Sequence, residues 1–160
     1  MDRADAAVEQ WARERPDLRT LPMAIFGRLN EAADRMTRVH MNPLFARVGL
    51  QAGEFDVLAT LRRSGRPYML SPTQLYEAAM ISSGAMTDRL DRLERAGLVV
   101  RRPDPKDRRG KLIVLTDSGK RLIDEAIGRH VANEERLLLS LTQAEQETLS
   151  LLLKKLIASL

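Results

Sequence analysis

The chain has 160 residues, 44% hydrophobic, 30% charged and 4% aromatic, the proportions of a helix-rich globular protein large enough to bury a core. It has no Cys, which excludes disulfides, thiolate metal sites and cysteine redox sensing; no apolar run approaches the roughly 20 residues of a membrane span, and the mixed-charge start is no signal peptide, so a cytoplasmic protein is expected. The net charge of +4 is uneven: residues 89–111 carry nine Lys/Arg against four acids, which suggests a polyanion-binding surface, with a solvated charged face as the plainer alternative. In chain order, an Arg-rich segment comes first, "EQWARERPDLRTLP" at 9–22, and holds the single tryptophan, Trp11, ahead of any core pattern. Leu21, Ile25, Leu29, Ala33, Met36 and Val39 then form a helical stripe over 21–41, which Pro43 ends or bends. A second helix is predicted over 52–63, closed by Ser64-Gly65. Ser71-Pro72-Thr73-Gln74 supplies an N-cap, a proline at the first helical position and a glutamine at the third, opening a short helix through Ala79. Ser82 starts another that runs to about Ala96 and stops at Gly97.

The period then changes. Residues 98–102 and 111–115 are two short strand candidates, and 103–110 between them read as a turn-rich basic loop. Thr116 caps a long helix from Asp117 to about Leu139, and Thr142-Gln143-Ala144-Glu145 is a capping box opening the last, Leu-rich helix. No repeat, low-complexity segment or interdomain linker interrupts this order. Residues 1–160 are therefore expected to form one domain. Its helices over 1–48 and 117–160 would pair two copies, and 51–116 would form the lobe that binds nucleic acid.

Short helix, turn, second helix and a hairpin with a basic tip is the layout of a winged helix-turn-helix, giving a mainly α (α+β) fold with a two-stranded wing. On the helix from Ser82, Met86, Leu90 and Leu93 would point inward, with Arg92 about 125° and Arg95 about 170° away from them. The small residues Ser82, Ser83, Gly84 and Ala85 would let backbone amides and the helix dipole approach phosphate. Ser71, Thr73, Thr87, Arg89, Arg92 and, on the wing, Lys106, Asp107, Arg108, Arg109 and Lys111 complete the expected DNA-binding set. From the wing tip, arginines have the reach to enter a minor groove or clamp phosphates.

Residues 107–116, "DRRGKLIVLT", fit the D-x-R-x5-L-T wing pattern of the MarR family of transcription regulators, and "SSGAMTDRLDRLERAGLV" at 82–99 closely resembles that family's recognition helix and its exit. The resemblance implies a homodimer on a palindromic operator, with half-sites ~10 bp apart. It further implies that Asp107 fixes the wing, that Arg109 enters the minor groove, and that a small molecule controls binding, usually by releasing a repressor. "WARERPDL" followed by "GRL" looks like the family's urate-responsive branch, in which an added N-terminal helix supplies a tryptophan. By motif, the ligand residues fall on Trp11, Asp56, Arg89 and Arg101. Arg19 departs from the acidic residue expected there.

An anionic planar heterocycle suits this set, since guanidinium groups match its charge and an indole face can stack on it. Arg89, about 70° from the buried stripe of its helix, could be drawn to a ligand and move the recognition helix with it. A phenolic or other aromatic carboxylate is the second effector class. Each residue also has a simpler role: Trp11 covering an apolar seam, Asp56 in a surface ion pair, Arg89 on phosphate and Arg101 bracing the wing. His40 and His130 are expected to be solvated or interfacial, with no metal site and no cofactor. The rival classes are an enzyme and a helical assembly protein. The first lacks a nucleophile elbow, HExxH or phosphate-cradling loop, and the second leaves the Arg-rich hairpin unexplained.

Overall fold

The first of two compact units, Met1–Arg47, begins with helix α1 (Arg3–Glu14). Asp2 caps it by accepting from the Asp5 amide at 2.8 Å, while Asp5 accepts from the Asp2 amide at 3.0 Å, a reciprocal box that satisfies two otherwise orphaned donors. Arg28, on α2 (Leu21–Arg35), holds both carboxylates, at 2.8 Å to Asp2 and 2.5 Å to Asp5. Ala4 and Ala24 are buried, and a Cβ at Gly27 would lie 3.6 Å from that of Ala4, so small residues bring α1 and α2 close together. Trp11 lies two turns along the same stripe as Ala4 and is 45% exposed.

The helical run from α2, expected to end or bend at Pro43, does not end there. The chain passes through a π-helical segment, Met36–Met41, into α3 (Asn42–Ala46). The Asn42 amide bonds back to the Thr37 carbonyl, five residues earlier, so the widened turn rearranges the ladder just before the proline, which has no N–H to give it.

The computed structural model describes residues 1–79 and 86–160, and of Arg108 and Arg109 it describes the backbone. In the second unit, Val48–Leu160, helix α4 (Ala52–Arg63) is the hub, with Val57, Leu58 and Leu61 fully buried and Phe55 nearly so. A helix apolar on most of its surface must be surrounded. Packed around α4 are α5 (Pro72–Ala78), α6 (Met86–Arg95), strand β3 (Asp107–Leu115) and α7 (Asp117–Leu137). They contribute the buried side chains of Leu75, Leu90, Leu93, Ile113 and Ile123.

The sheet differs from the expected two-stranded wing in two ways. A short strand β1 (Met69–Leu70) pairs antiparallel with β3, giving the order β1-β3-β2 with β2 at Val99–Asp104. Two residues are too short to leave a periodic signature. Segment 103–110, expected as a loop, is mostly strand, because β2 and β3 stay paired to Asp104↔Asp107 around a turn at Pro105-Lys106. Pro103 is accommodated where the register shifts, beside Asp104, a position that tolerates a missing N–H.

Two turns tie this sheet to the helices. Gly97 (φ 68°) ends α6 in a Schellman turn, the Leu98 amide reaching the Leu93 carbonyl at 2.9 Å, and the chain passes directly into β2. Thr116 accepts from the Gly119 amide at 3.0 Å to cap α7, and its hydroxyl lies 2.8 Å from the Gly97 carbonyl. A Cβ at Gly119 would sit 2.1 Å from the Leu98 carbonyl oxygen, so no larger residue fits that crossing. The last helix, α8 (Gln143–Ile157), buries none of its side chains; Leu151, Leu152 and Ile157 are each more than 60% exposed. Among the described residues, no helix is long and apolar enough to cross a membrane.

Candidate nucleic-acid interface

Leu90 and Leu93 seat α6 on the core, and the polar faces on either side of them hold it in opposite ways. Arg89 and Arg92, three residues apart and so on one face, both reach α4. Arg92 Nε donates to the Glu54 carboxylate at 2.6 Å and Nη2 to the Gln51 side-chain oxygen at 3.3 Å. Glu54 is only 6% exposed, and a carboxylate removed from water needs a cationic or hydrogen-bonding partner. It also accepts from the Gln51 amide at 2.8 Å, closing the first turn of α4. Arg92, expected to face outward, instead lies along α4, because its long side chain can turn back to this buried acid.

On the opposite flank Asp91 and Glu94, again three apart, clamp Arg101 of β2. Arg101 Nη2 donates to Asp91 at 2.6 Å, Nη1 donates to Glu94, and the Arg101 amide donates to Glu94 at 3.0 Å. Asp91 foremost, with Glu94, holds the guanidinium protonated beyond its ordinary range. The structure thus gives Arg101 a bracing role between α6 and the wing. Arginine arms tie α6 to α4, and carboxylate arms tie it to β2.

What remains outward is polar or charged. Thr87, Asp88 and Arg95 are exposed on α6, and the Arg95 Nε donates to the Asp91 carbonyl at 3.2 Å. Ser71 caps α5, its hydroxyl accepting from the Gln74 amide at 3.2 Å and its amide donating to the Gln74 side chain at 2.9 Å; Thr73 stands exposed at the second helical position. On the wing Lys106 and Lys111 are exposed, Asp104 accepts from the Lys106 amide at 2.8 Å, and a Cβ at Gly110 would come within 3.0 Å of the Asp107 carboxylate. That close fit keeps the hairpin tip narrow. Ser82, Ser83, Gly84 and Ala85 lie outside the described residues, as do the side chains of Arg108 and Arg109.

Of the ligand set, Asp56 is half-buried on α4, one turn beyond Gly53 on the same face, and Arg89 lies over Gly53. Arg89 and the Asp56 face of α4 are therefore neighbours, whereas Arg101 is held on the carboxylates of α6. Trp11 belongs to the first unit. His130, expected to be solvated or interfacial, packs its ring 4.8 Å from that of Phe55 and lies 3.1 Å from Glu134.

Sequence reasoning missed Glu54 and the Asp91/Glu94 pair. The signal was available: Gln51 and Glu54 have capping-box spacing, and Asp91 and Glu94, three apart on one helix, share a face. It also missed Gly53, whose role depends on a residue 36 positions later.

Residues 48–110 match the model of the MarR family. The HTH-type transcriptional regulator PecS of Dickeya dadantii is 44% identical over 146 residues, covering 91% of this chain and 87% of the relative. A MarR family transcriptional regulator from Streptomyces coelicolor, solved in complex with DNA, superposes with a TM-score of 0.80 at 26% identity, covering 89% of each chain. BpsR of Bordetella bronchiseptica, whose regulation of DNA binding by 6-hydroxynicotinic acid was the subject of its structure, gives 0.69 at 26% identity over 82% of this chain and 97% of that one. With α6 braced between core and wing, the chain belongs to the MarR family of winged-helix, DNA-binding transcription regulators.

Proposed function

We propose that the protein acts in the cytoplasm as a homodimeric repressor on a palindromic operator and is released by a small anionic aromatic, urate being the first candidate. The observation that carries this reading is the placement of Arg89, folded onto α4 beside the Asp56 face. A guanidinium in that position belongs to the helix read as meeting DNA and, at the same time, lies against α4, where an anionic ligand could draw on it. Ligand affinity for the state in which Arg89 is held on α4 lowers DNA affinity by the same differential. Dimerisation is supported by the uncovered leucines of α8 and by exposed Leu21, Ile25 and Phe26 of α2. Two-fold symmetry then places two α6 helices in successive major grooves, ~10 bp apart. Phosphates are met by Ser71, Thr73, Thr87, residues Ser82, Ser83, Gly84 and Ala85, and the Lys106–Lys111 wing, with Arg109 in the minor groove.

A second effector class, an aromatic carboxylate, is favoured by the resemblance to BpsR, since 6-hydroxynicotinic acid is planar, heteroaromatic and acidic. Trp11 enters on the resemblance alone. Titrating the full chain with urate, xanthine and aromatic carboxylates, read by Trp11 fluorescence and thermal shift, tests the effector. One class is expected to quench the indole and raise the unfolding temperature, and Trp11→Phe to reduce that rise. A thermal shift with unchanged fluorescence would assign Trp11 a structural role only, and no shift with any of them would remove this effector chemistry.

A further inference from the structure

Gly53 has no backbone reason to be glycine. It occupies the first turn of α4 in ordinary helical conformation, unlike Gly49, Gly65 and Gly97, whose positive φ angles favour glycine. Alanine is the better helix former at such a position. What excludes a side chain there is Arg89: a Cβ on residue 53 would lie 2.3 Å from its Nε, 2.7 Å from Cζ and 2.9 Å from Cδ. These atoms are the far end of a flexible side chain, so an added methyl group would displace the guanidinium and leave the backbone in place. Arg92, one turn along α6, is held independently by Glu54 and Gln51, so α6 keeps its anchor when Arg89 moves.

We propose that Gly53 is a positioning residue: its bare Cα is the seat on which Arg89 withdraws from the DNA-facing side of the recognition helix. The inference rests on reading α6 as the helix that meets DNA, and it deepens that reading by naming what sets the balance between the withdrawn and extended arginine. With the seat filled, the guanidinium is displaced from its place over residue 53, which shifts Arg89 towards the extended conformers that reach a phosphate. Gly53→Ala therefore binds duplex more tightly, the opposite of what damage to the fold would do.

The test uses the full chain as Gly53→Ala, Arg89→Ala and the double variant, with duplex affinity measured across a salt series. Gly53→Ala is expected to steepen the log–log salt dependence by about one, the signature of one added phosphate contact. In the Arg89→Ala background the same substitution changes nothing. Its thermal midpoint stays level or rises. In parallel, the Arg89 Nε–H resonance, assigned by its loss in Arg89→Lys, shifts in Gly53→Ala. An unmoved resonance overturns the seat even where duplex binding changes, and a salt effect of equal size with and without Arg89 overturns it as well. A shifted resonance supports the seat even where no duplex binds, which separates it from the DNA reading.

Discussion

Asp124, on α7, accepts from Arg62 Nε at 2.6 Å and from Lys120 at 2.8 Å, and these two cations, Lys120 foremost, hold its carboxyl below the ordinary aspartate range. The same Arg62 guanidinium lies 5.0 Å over the Tyr68 ring, so one side chain ties α4, α7 and the turn before β1. A carboxyl depressed only in the folded state leaves the unfolded chain binding more protons between the two pKa values, so stability rises with pH through that window. The contribution is complete above the unfolded value, about 3.9, and disappears as pH falls through the lower folded one. Thermal midpoints of wild type and Asp124→Asn should therefore differ by a constant amount near neutrality and converge below about pH 4. A difference independent of pH would show that the carboxylate charge is not what holds the pair. The Lys120–Asp124 half of this cluster has the local i,i+4 spacing, but Arg62 lies 62 positions from Asp124 and meets it only through the packing of α4 on α7. Arg92 teaches the same lesson from the other side: helical phase placed its Cα correctly, but a long side chain follows its partner, here the buried Glu54.

Helix α6 was legible in sequence because its apolar positions, its Gly97 stop and the strand after it are all local signals. The same holds for the capping boxes of α5 and α8 and for α4, whose bounds are those expected. What was not legible arose from pairing at a distance: the two-residue β1, which exists only because β3 lies beside it, and the extension of β2 and β3 into a segment whose prolines read as a loop. The π-helical segment before Pro43 belongs with these, because a proline reads as a stop and only the surrounding chain shows the helix continuing through it. At this scale Glu54 is the decisive residue, since it closes the first turn of α4 and anchors α6 through Arg92. Glu54→Ala should cost about 1–3 kcal/mol in urea unfolding, combining a lost cap with a lost charge-assisted bond. Hydrogen exchange should accelerate in α6 more than in α7. Equal acceleration in both helices would mean that Glu54 serves the core generally and not α6 in particular.

For the whole molecule, family membership makes the chain a DNA-binding regulator, and arginines couple its α6 to the core and the wing. Arg92 and Arg101 are engaged by carboxylates, so an anion that entered would compete with Glu54, or with Asp91 and Glu94. Arg89 is the arm that lies over the bare Cα of Gly53, beside the Asp56 face of α4. That is why the proposed release runs through residue 89, and why the effector should be anionic and flat. The most direct measurement is the affinity of the full chain for a palindromic duplex from its own promoter region, with and without urate, in wild type and Arg89→Ala. The account predicts that urate weakens the wild-type complex severalfold, on the order of the 1–3 kcal/mol typical of allosteric coupling, and leaves Arg89→Ala nearly unchanged. An Arg89→Ala protein that binds the duplex normally and is released by urate as fully as wild type would contradict it.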